Sequence, residues 1–213
     1  MKHVPSLGAL LLLCLGLGIT QAASAQILYE NGPINGQTDA WTVNFGFVVS
    51  DSFTISTGNS TINGFSFGAW LFPGDVLQSA EVSLTSEPFG GTVYFDGVVN
   101  FAQSGCFVNN YSYNVCTETG SFNGPTLGNG TYWVNLENAL TTQGNPVYWD
   151  ENSGIGCHSP GCPSSAGENF ESIPSEAFTI LGTGTSSVPE PGSLVLFASG
   201  VLTVIGFLRK RFV

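Results

Sequence analysis

Apolar and polar positions alternate with a period of two along most of the chain between residues 41 and 181. The clearest case is the segment 62–71, in which Phe65, Phe67 and Ala69 alternate with Gly or Ser. Successive side chains of a β-strand point to opposite faces, so this pattern predicts a half-buried strand. No helical period of useful length accompanies it in this region.

The same pattern predicts a series of short strands separated by turns. The expected strands cover 41–49, 51–55, 62–71, 76–85, 92–101, 106–117, 131–139, 147–149 and 176–181. Turn signals lie between them, such as Asn31-Gly32-Pro33, Pro73-Gly74-Asp75 and Gly128-Asn129-Gly130. About eight to ten short strands at this spacing indicate an all-β domain, an antiparallel β-sandwich or jelly roll.

Both ends of the chain depart from this pattern. Residues 1–25 combine Lys2, an apolar stretch over 7–19 and Ala23-Ser24-Ala25, the three parts of a signal peptide. Near the other end, residues 192–208 carry no charge. As a helix this run is roughly 25 Å long, at the short end for crossing a bilayer. We therefore expect an exported chain with a single C-terminal transmembrane helix.

Three features stand in order around that apolar run: the motif Val188-Pro189-Glu190-Pro191, the run itself, and the basic triplet Arg209-Lys210-Arg211. The two prolines keep Glu190 in an extended, accessible segment. The basic triplet predicts that the C-terminus faces the cytoplasm and that everything before the helix lies outside. The precursor would then sit in the inner membrane and face the periplasm.

This arrangement resembles the PEP-CTERM sorting signal of Gram-negative bacteria. The resemblance covers 188–213 and implies an exosortase-type processing enzyme as a partner, with cleavage near the motif. It also implies co-occurrence with exopolysaccharide and biofilm-matrix production. The resemblance concerns sorting, so the role of the preceding domain has to be argued from other residues. The expected organisation is a signal peptide over 1–25, an ectodomain over 26–181, a Gly/Ser/Thr linker over 182–187 and the sorting signal over 188–213.

The charge of the ectodomain excludes several functions. The four basic residues are Lys2, Arg209, Lys210 and Arg211, whereas all 15 acidic residues lie between Glu30 and Glu190. Nucleic acid is therefore repelled, and phosphoryl transfer lacks its usual cations. The mature chain has one histidine, His158, and no P-loop or HExxH motif. We expect no enzymatic activity and no catalytic residues, with paired carboxylates as the remaining catalytic option.

Four cysteines remain once the signal peptide is removed, and an even number in an exported chain indicates disulfides. Three pairings are open. We favour Cys106–Cys116 and Cys157–Cys162, because each closes a short loop. Cys157, His158 and Cys162 also have the spacing of a zinc half-site, an alternative that an oxidising compartment disfavours.

Two further groups of residues have a chemical interpretation. Asp150 and Glu151 are weak candidates for a calcium site, since hard cations are the natural counterions of an acidic domain; no other cofactor is expected. Aromatic side chains that stack on sugar rings would make the domain a carbohydrate-binding module. The candidates are Trp41, Trp70, Tyr132, Trp133, Tyr148 and Trp149.

The sequence thus predicts a non-enzymatic β-sandwich protein that is exported to the cell surface or extracellular matrix. Two alternatives come from other classes of function. One is a carbohydrate-binding module whose partner is extracellular polysaccharide. The other is a glycosidase-like enzyme, which requires two carboxyl groups about 5–9.5 Å apart in a cleft.

Overall fold

The computed structural model of the protein describes residues 25–152, 166–169 and 171–184. They form thirteen β-strands connected by turns, with no helix among the described residues. The first seven strands are β1 (Gln26–Asn31), β2 (Ala40–Thr42), β3 (Val49–Ile55), β4 (Ser60–Leu71), β5 (Leu77–Glu87), β6 (Gly90–Val108) and β7 (Asn114–Ser121). The other six are β8 (Thr126–Leu127), β9 (Gly130–Thr141), β10 (Tyr148–Asp150), β11 (Ala166–Glu168), β12 (Glu171–Ile173) and β13 (Phe178–Gly184).

The strands pair in antiparallel fashion in the order β1-β13-β4-β7-β6-β5-β9-β3-β11-β12. The long strand β6 joins the two halves, since its first part pairs with β5 and its second part with β7. The sheet curls as a half-barrel. β1, at one end of the sheet, approaches β3, which lies two strands from the other end; the ring of Tyr29 on β1 is 6.3 Å from that of Phe53 on β3. The all-β antiparallel class predicted from the alternation is confirmed.

One hydrophobic core fills the concave side of the sheet. Phe65 and Phe67 on β4 are fully buried, as the alternation predicts. Val82 on β5 and Leu136 on β9, which are cross-strand partners, are equally buried. Burial of each such side chain contributes about 1.5–3 kcal/mol. Because the described residues include no lysine or arginine, apolar burial and backbone hydrogen bonds have to supply the stability.

The strand predicted over 41–49 is wrong in its middle part. β2 ends at Thr42, and the backbone turns through Phe45 and Gly46, whose φ angles are 58° and 91°. The amide of Phe47 donates to the carbonyl of Asn44 at 3.2 Å and closes the turn. The side chain of Phe45 is consequently 65% exposed instead of pointing inward.

The strand predicted over 106–117 is also wrong, because a hairpin turn interrupts it. β6 continues without a break from the predicted strand 92–101 to Val108, and β7 begins only at Asn114. Asn109 builds the turn between them: its Oδ1 accepts hydrogen bonds from the amides of Tyr111 and Tyr113, both at 3.0 Å. Side-chain oxygens of asparagine stabilise turns in this way.

The end of the domain lies slightly beyond the expected boundary. β13 runs to Gly184 and pairs with β4 from Ser60 onward, so three residues of the expected linker belong to the sheet. Strands β1, β8, β11 and β12 have no counterpart in the sequence-based prediction, because they are short or lack clear alternation. Within the described ranges, no helix is long and apolar enough to span a bilayer. Residues 1–24 of the expected signal peptide and the segment 188–213 lie outside these ranges.

The disulfide between Cys106 and Cys116 is present and confirms one of the two favoured pairings. It links β6 to β7 on the two sides of the hairpin that carries Tyr111 and Tyr113. Cys157 and Cys162 lie outside the described residues, so their pairing stays a prediction.

We expect the double variant C106S/C116S to be less stable than the wild type by about 2–3 kcal/mol, the chain-entropy contribution of a short closed loop. The separation of the two cysteines is 10 residues. Urea unfolding of the purified protein, with and without reductant, measures the difference. Reductant should lower the stability of the wild type toward that of the variant. Equal stability of the oxidised wild type and the variant would contradict the prediction.

Candidate functional site

A pocket of about 340 Å³ opens on the protein surface beside the hairpin between β6 and β7. Its lining is unusually aromatic. The lining residues are Thr38, Asp39, Ala40, Trp70, Tyr111, Tyr113 and Tyr148. They come from four parts of the chain: the segment 38–40 that leads into β2, the end of β4, the hairpin and the start of β10.

The aromatic wall is built from rings that contact one another. Trp70 on β4 is the inner member; it is 5% exposed and stacks on Tyr111, with ring centroids 5.6 Å apart and an interplanar angle of 23°. Tyr113 lies 5.8 Å from Trp70 and makes an edge contact with Tyr148 at 5.6 Å. Tyr111 is 57% exposed, so this wall presents aromatic surface to solvent.

Strand pairing explains why these residues meet. Tyr148 on β10 is the antiparallel partner of Trp70 on β4, which places the two side chains on one face of the sheet. Tyr148 also pairs with Thr42 on β2, the strand that follows Thr38 and Asp39. Burial raises the pKa of the Tyr148 phenol, and the neighbouring Tyr113 reinforces the shift. Tyr148 therefore presents a neutral hydroxyl, which both donates and accepts hydrogen bonds.

Asp150 connects the aromatic wall of the pocket to the polar segment that carries Thr38 and Asp39. The indole N–H of Trp70 donates to Oδ1 of Asp150 at 2.6 Å. The amides of Asn35 and Gly36 donate to its Oδ2 and Oδ1 at 2.8 and 3.0 Å. Asp150 thus fixes both Trp70 and the segment that leads to Asp39, and acts as a positioning residue for the pocket.

The calcium candidates Asp150 and Glu151 occupy buried positions rather than a solvated loop. Burial raises the pKa of the Asp150 carboxyl, although the bonds from Trp70, Asn35 and Gly36 oppose the shift. These three donors already engage both oxygens of Asp150. Among the described residues, no group of three or more His, Cys, Asp or Glu is arranged to hold a metal ion. Calcium binding at Asp150 and Glu151 stays a prediction.

Two buried glutamates that do not line the pocket, Glu118 and Glu176, have no hydrogen bonds to their carboxyl oxygens. Burial raises the pKa of Glu118 to about 7, against an opposing effect of the nearby Gln103. The amide of Gln103 donates instead to Sγ of Cys116 at 3.0 Å. Burial, together with carboxylates that include Asp51, raises the pKa of Glu176 well above its usual range. The neutral form of Glu118 is therefore favoured below about pH 7, and burial favours the neutral form of Glu176 as well.

The pocket contains two of the six aromatic residues predicted from the sequence to stack on sugars, Trp70 and Tyr148. Trp149 is fully buried and donates its indole N–H to the carbonyl of Ala177. Trp41 and Tyr132 are partly buried against the core, and Trp133 is half-buried on β9. These four residues lie outside the pocket lining.

Sequence reasoning missed Thr38, Asp39, Tyr111 and Tyr113 as site residues. The two tyrosines lie in the segment 106–117 that was interpreted as a strand, although Asn109-Asn110 before Tyr111 is a turn signal. No local pattern marks Thr38 or Asp39. Both reach the pocket through long-range contacts alone, by way of the pairing of β2 with β10.

Comparison with known families gives one match, at the C-terminus. Residues 187–211 match the family described as the PEP-CTERM protein-sorting motif. A search of curated proteins found no match to the chain. The matched residues contain Val188, Pro189, Glu190 and Pro191 and extend through Arg209, Lys210 and Arg211. They confirm the resemblance seen in the sequence and lie outside the residues that the structure describes.

Proposed function

We propose that this chain, which carries a PEP-CTERM sorting motif, is a non-enzymatic sandwich-like β-protein of the cell surface or extracellular matrix. The motif is the observation that carries the proposal. It implies export to the cell envelope and handling by an exosortase-type enzyme. Association with an exopolysaccharide or biofilm matrix is part of the proposal, because this type of sorting signal co-occurs with the production of such matrices.

The order of features at the C-terminus supports a membrane-held precursor. The uncharged run over 192–208 is long enough to hold a segment in the bilayer, and Arg209, Lys210 and Arg211 favour the cytoplasmic side. The extended Pro189-Glu190-Pro191 segment then lies just outside the membrane, within reach of a processing enzyme. The all-β domain before it would face the periplasm until it is released or transferred to the surface.

The pocket supports a binding role rather than catalysis. Glycoside hydrolysis usually needs two carboxyl groups that flank the scissile bond. Of the residues that line the pocket, Asp39 alone carries a carboxyl group, and Asp150 behind it is buried and engaged by three donors. The glycosidase-like alternative therefore has less support than a carbohydrate-binding one.

We expect the surface form of the protein to lack the residues after the sorting motif. Mass spectrometry of the C-terminal peptide, from protein recovered at the cell surface or in the medium, measures this directly. The variant P189A/E190A/P191A should accumulate in the inner membrane with its C-terminus intact. As a control, alanine substitutions at Thr183 and Thr185 should leave processing unchanged. A surface protein that ends at Val213 would refute processing, and normal surface delivery of the triple variant would refute the role of the motif.

A further inference from the structure

The aromatic pocket beside the β6–β7 hairpin has the chemistry of a sugar-binding site. We propose that it binds pyranose rings of a polysaccharide that is neutral or carries amino groups, and that it rejects polyuronates. The inference names a ligand for the matrix protein of the preceding section, but it rests on the pocket and not on the sorting motif. If the pocket binds no sugar, the proposed surface location is unaffected, and a different location would not contradict sugar binding.

The size of the pocket fits a sugar unit. Its volume of about 340 Å³ lies at the lower end of the range of roughly 300–1,000 Å³ for pockets that hold small molecules. The site is open at the surface, next to an exposed tyrosine. An open site of this kind accommodates one or two rings while the rest of a polymer extends into solvent.

Tyr111 supplies the stacking surface. One face of its ring lies against Trp70, which is itself held by Asp150. Tyr111 as a residue is nevertheless 57% exposed, so aromatic surface remains available outside this contact. A rigid aromatic platform of this kind buries the apolar C–H face of a pyranose at low cost in conformational entropy. The disulfide between Cys106 and Cys116 restrains the hairpin that carries the platform.

Polar groups around the platform match the hydroxyl groups of a sugar. Asp39 is exposed, and its Oδ1 accepts a hydrogen bond from the amide of Ala40 at 2.9 Å. A carboxylate has about four acceptor sites, so this bond leaves capacity for two adjacent sugar hydroxyls. The neutral Tyr148 phenol supplies a hydroxyl that donates or accepts. A largely aromatic wall with a few polar groups is typical of ligand pockets.

Charge decides which polysaccharides fit. The carboxylate of Asp39 lies on the rim, and residues 25–152, 166–169 and 171–184 contain no lysine, arginine or histidine. A uronate in the pocket would meet a like charge with no compensating cation. A protonated amino sugar would instead pair with Asp39 and contact the aromatic rings through cation–π interactions.

The test uses the full chain in a polyoxyethylene detergent, since glucoside and maltoside detergents would compete for the site. Binding is measured by calorimetry with four hexamers: those of glucosamine, N-acetylglucosamine, β-1,4-linked glucose and galacturonate. We expect at least one of the first three to bind and the galacturonate hexamer to bind about tenfold more weakly or not at all. Substitution Y111A should weaken binding about tenfold.

Two matched variants separate the contributions. Tyr94 on β6 is a partly exposed tyrosine outside the pocket, and Y94A should leave affinity unchanged. D39N should weaken binding of the glucosamine hexamer more than that of neutral hexamers. The proposal is overturned if galacturonate binds as tightly as glucosamine, if Y111A and Y94A behave alike, or if no hexamer binds at millimolar concentration. Binding of tetramethylammonium without any sugar would overturn it as well and identify a cage for quaternary ammonium groups.

Discussion

Replacing Asp150 with alanine should destabilise the protein by about 3–6 kcal/mol. Three donors point at this carboxylate, namely the indole N–H of Trp70 and the amides of Asn35 and Gly36. Leaving a buried donor without a partner costs about 1–3 kcal/mol, and domain stability as a whole is only about 5–15 kcal/mol. Urea unfolding measures the difference, and the proposed sugar binding should be lost in parallel because Trp70 and the segment before β2 are no longer held.

Two further variants make this prediction specific. D150N keeps one acceptor oxygen but places an amide N–H opposite a donor, so we expect an intermediate loss of about 1–3 kcal/mol. Asp96 is an exposed aspartate on β6, and D96A should change stability by less than about 0.5 kcal/mol. A D150A variant that unfolds at the same urea concentration as D96A would show that Asp150 does not hold Trp70 and the segment before β2 in place.

The second large effect concerns pH, because raising it should destabilise the folded protein. The folded-state pKa of Glu118 is about 7, above the ordinary value of 4.5. A raised folded pKa means that the folded state binds the proton more tightly than the unfolded state. The contribution of Glu118 to stability is therefore largest below about pH 4.5, falls as pH rises from there to about 7, and is constant above. Glu176 shifts in the same direction and adds to the loss.

The variant E118Q should remove the contribution of Glu118 to the pH dependence of stability. At about 1.4 kcal/mol per pH unit, a pKa that rises from 4.5 to about 7 corresponds to about 3–4 kcal/mol, so E118Q should gain this stability at pH 8 and behave like the wild type at pH 4. Urea unfolding at a series of pH values between 4 and 8 measures how steeply the stability of the wild type and of E118Q changes with pH. Glu87, an exposed residue at the end of β5, provides the control E87Q. Equal slopes for the wild type and E118Q would contradict the prediction.

Asp75 acts in the opposite direction and in a lower pH window. Burial alone would raise its pKa, but hydrogen bonds that include those from Thr142, Gln143 and Val76 outweigh burial and lower the pKa to about 2. Its contribution is present above about pH 3.8 and is lost as pH falls toward 2. The profile of stability against pH should therefore have its maximum near pH 4–5.

The alternation of apolar and polar residues predicted most of the strands, because side chains of a half-buried strand point alternately to the core and to solvent. β4, β5 and β9 appear close to their predicted bounds, with Phe65, Phe67 and Leu136 buried as expected. Prediction failed where a single side chain redirects the backbone. Asn109 caps the hairpin at Tyr111, and the turn at Phe45 adopts a positive φ that alternation does not reveal.

Signals carried by contiguous residues could be interpreted without the fold. The sorting motif is one of them, since its recognition depends on local order: a proline-containing handle, an apolar run and a basic end. The short-range pairing of Cys106 with Cys116 is another, because a separation of 10 residues limits the possible geometries. The absence of lysine and arginine between Gln26 and Glu190 is a third, and it predicts that polyanionic partners are repelled whatever the fold.

The candidate site, in contrast, was decided by the tertiary structure. Asp39, Trp70, Tyr111 and Tyr148 come from distant parts of the chain, and the pairing of β10 with both β2 and β4 brings three of those parts together. The sequence pointed to Asp150 as an acidic residue beside Trp149, but only the fold shows that its carboxylate faces Trp70 and two backbone amides. Long-range register determines which side chains share a face, and register depends on the packing of the whole core rather than on local patterns.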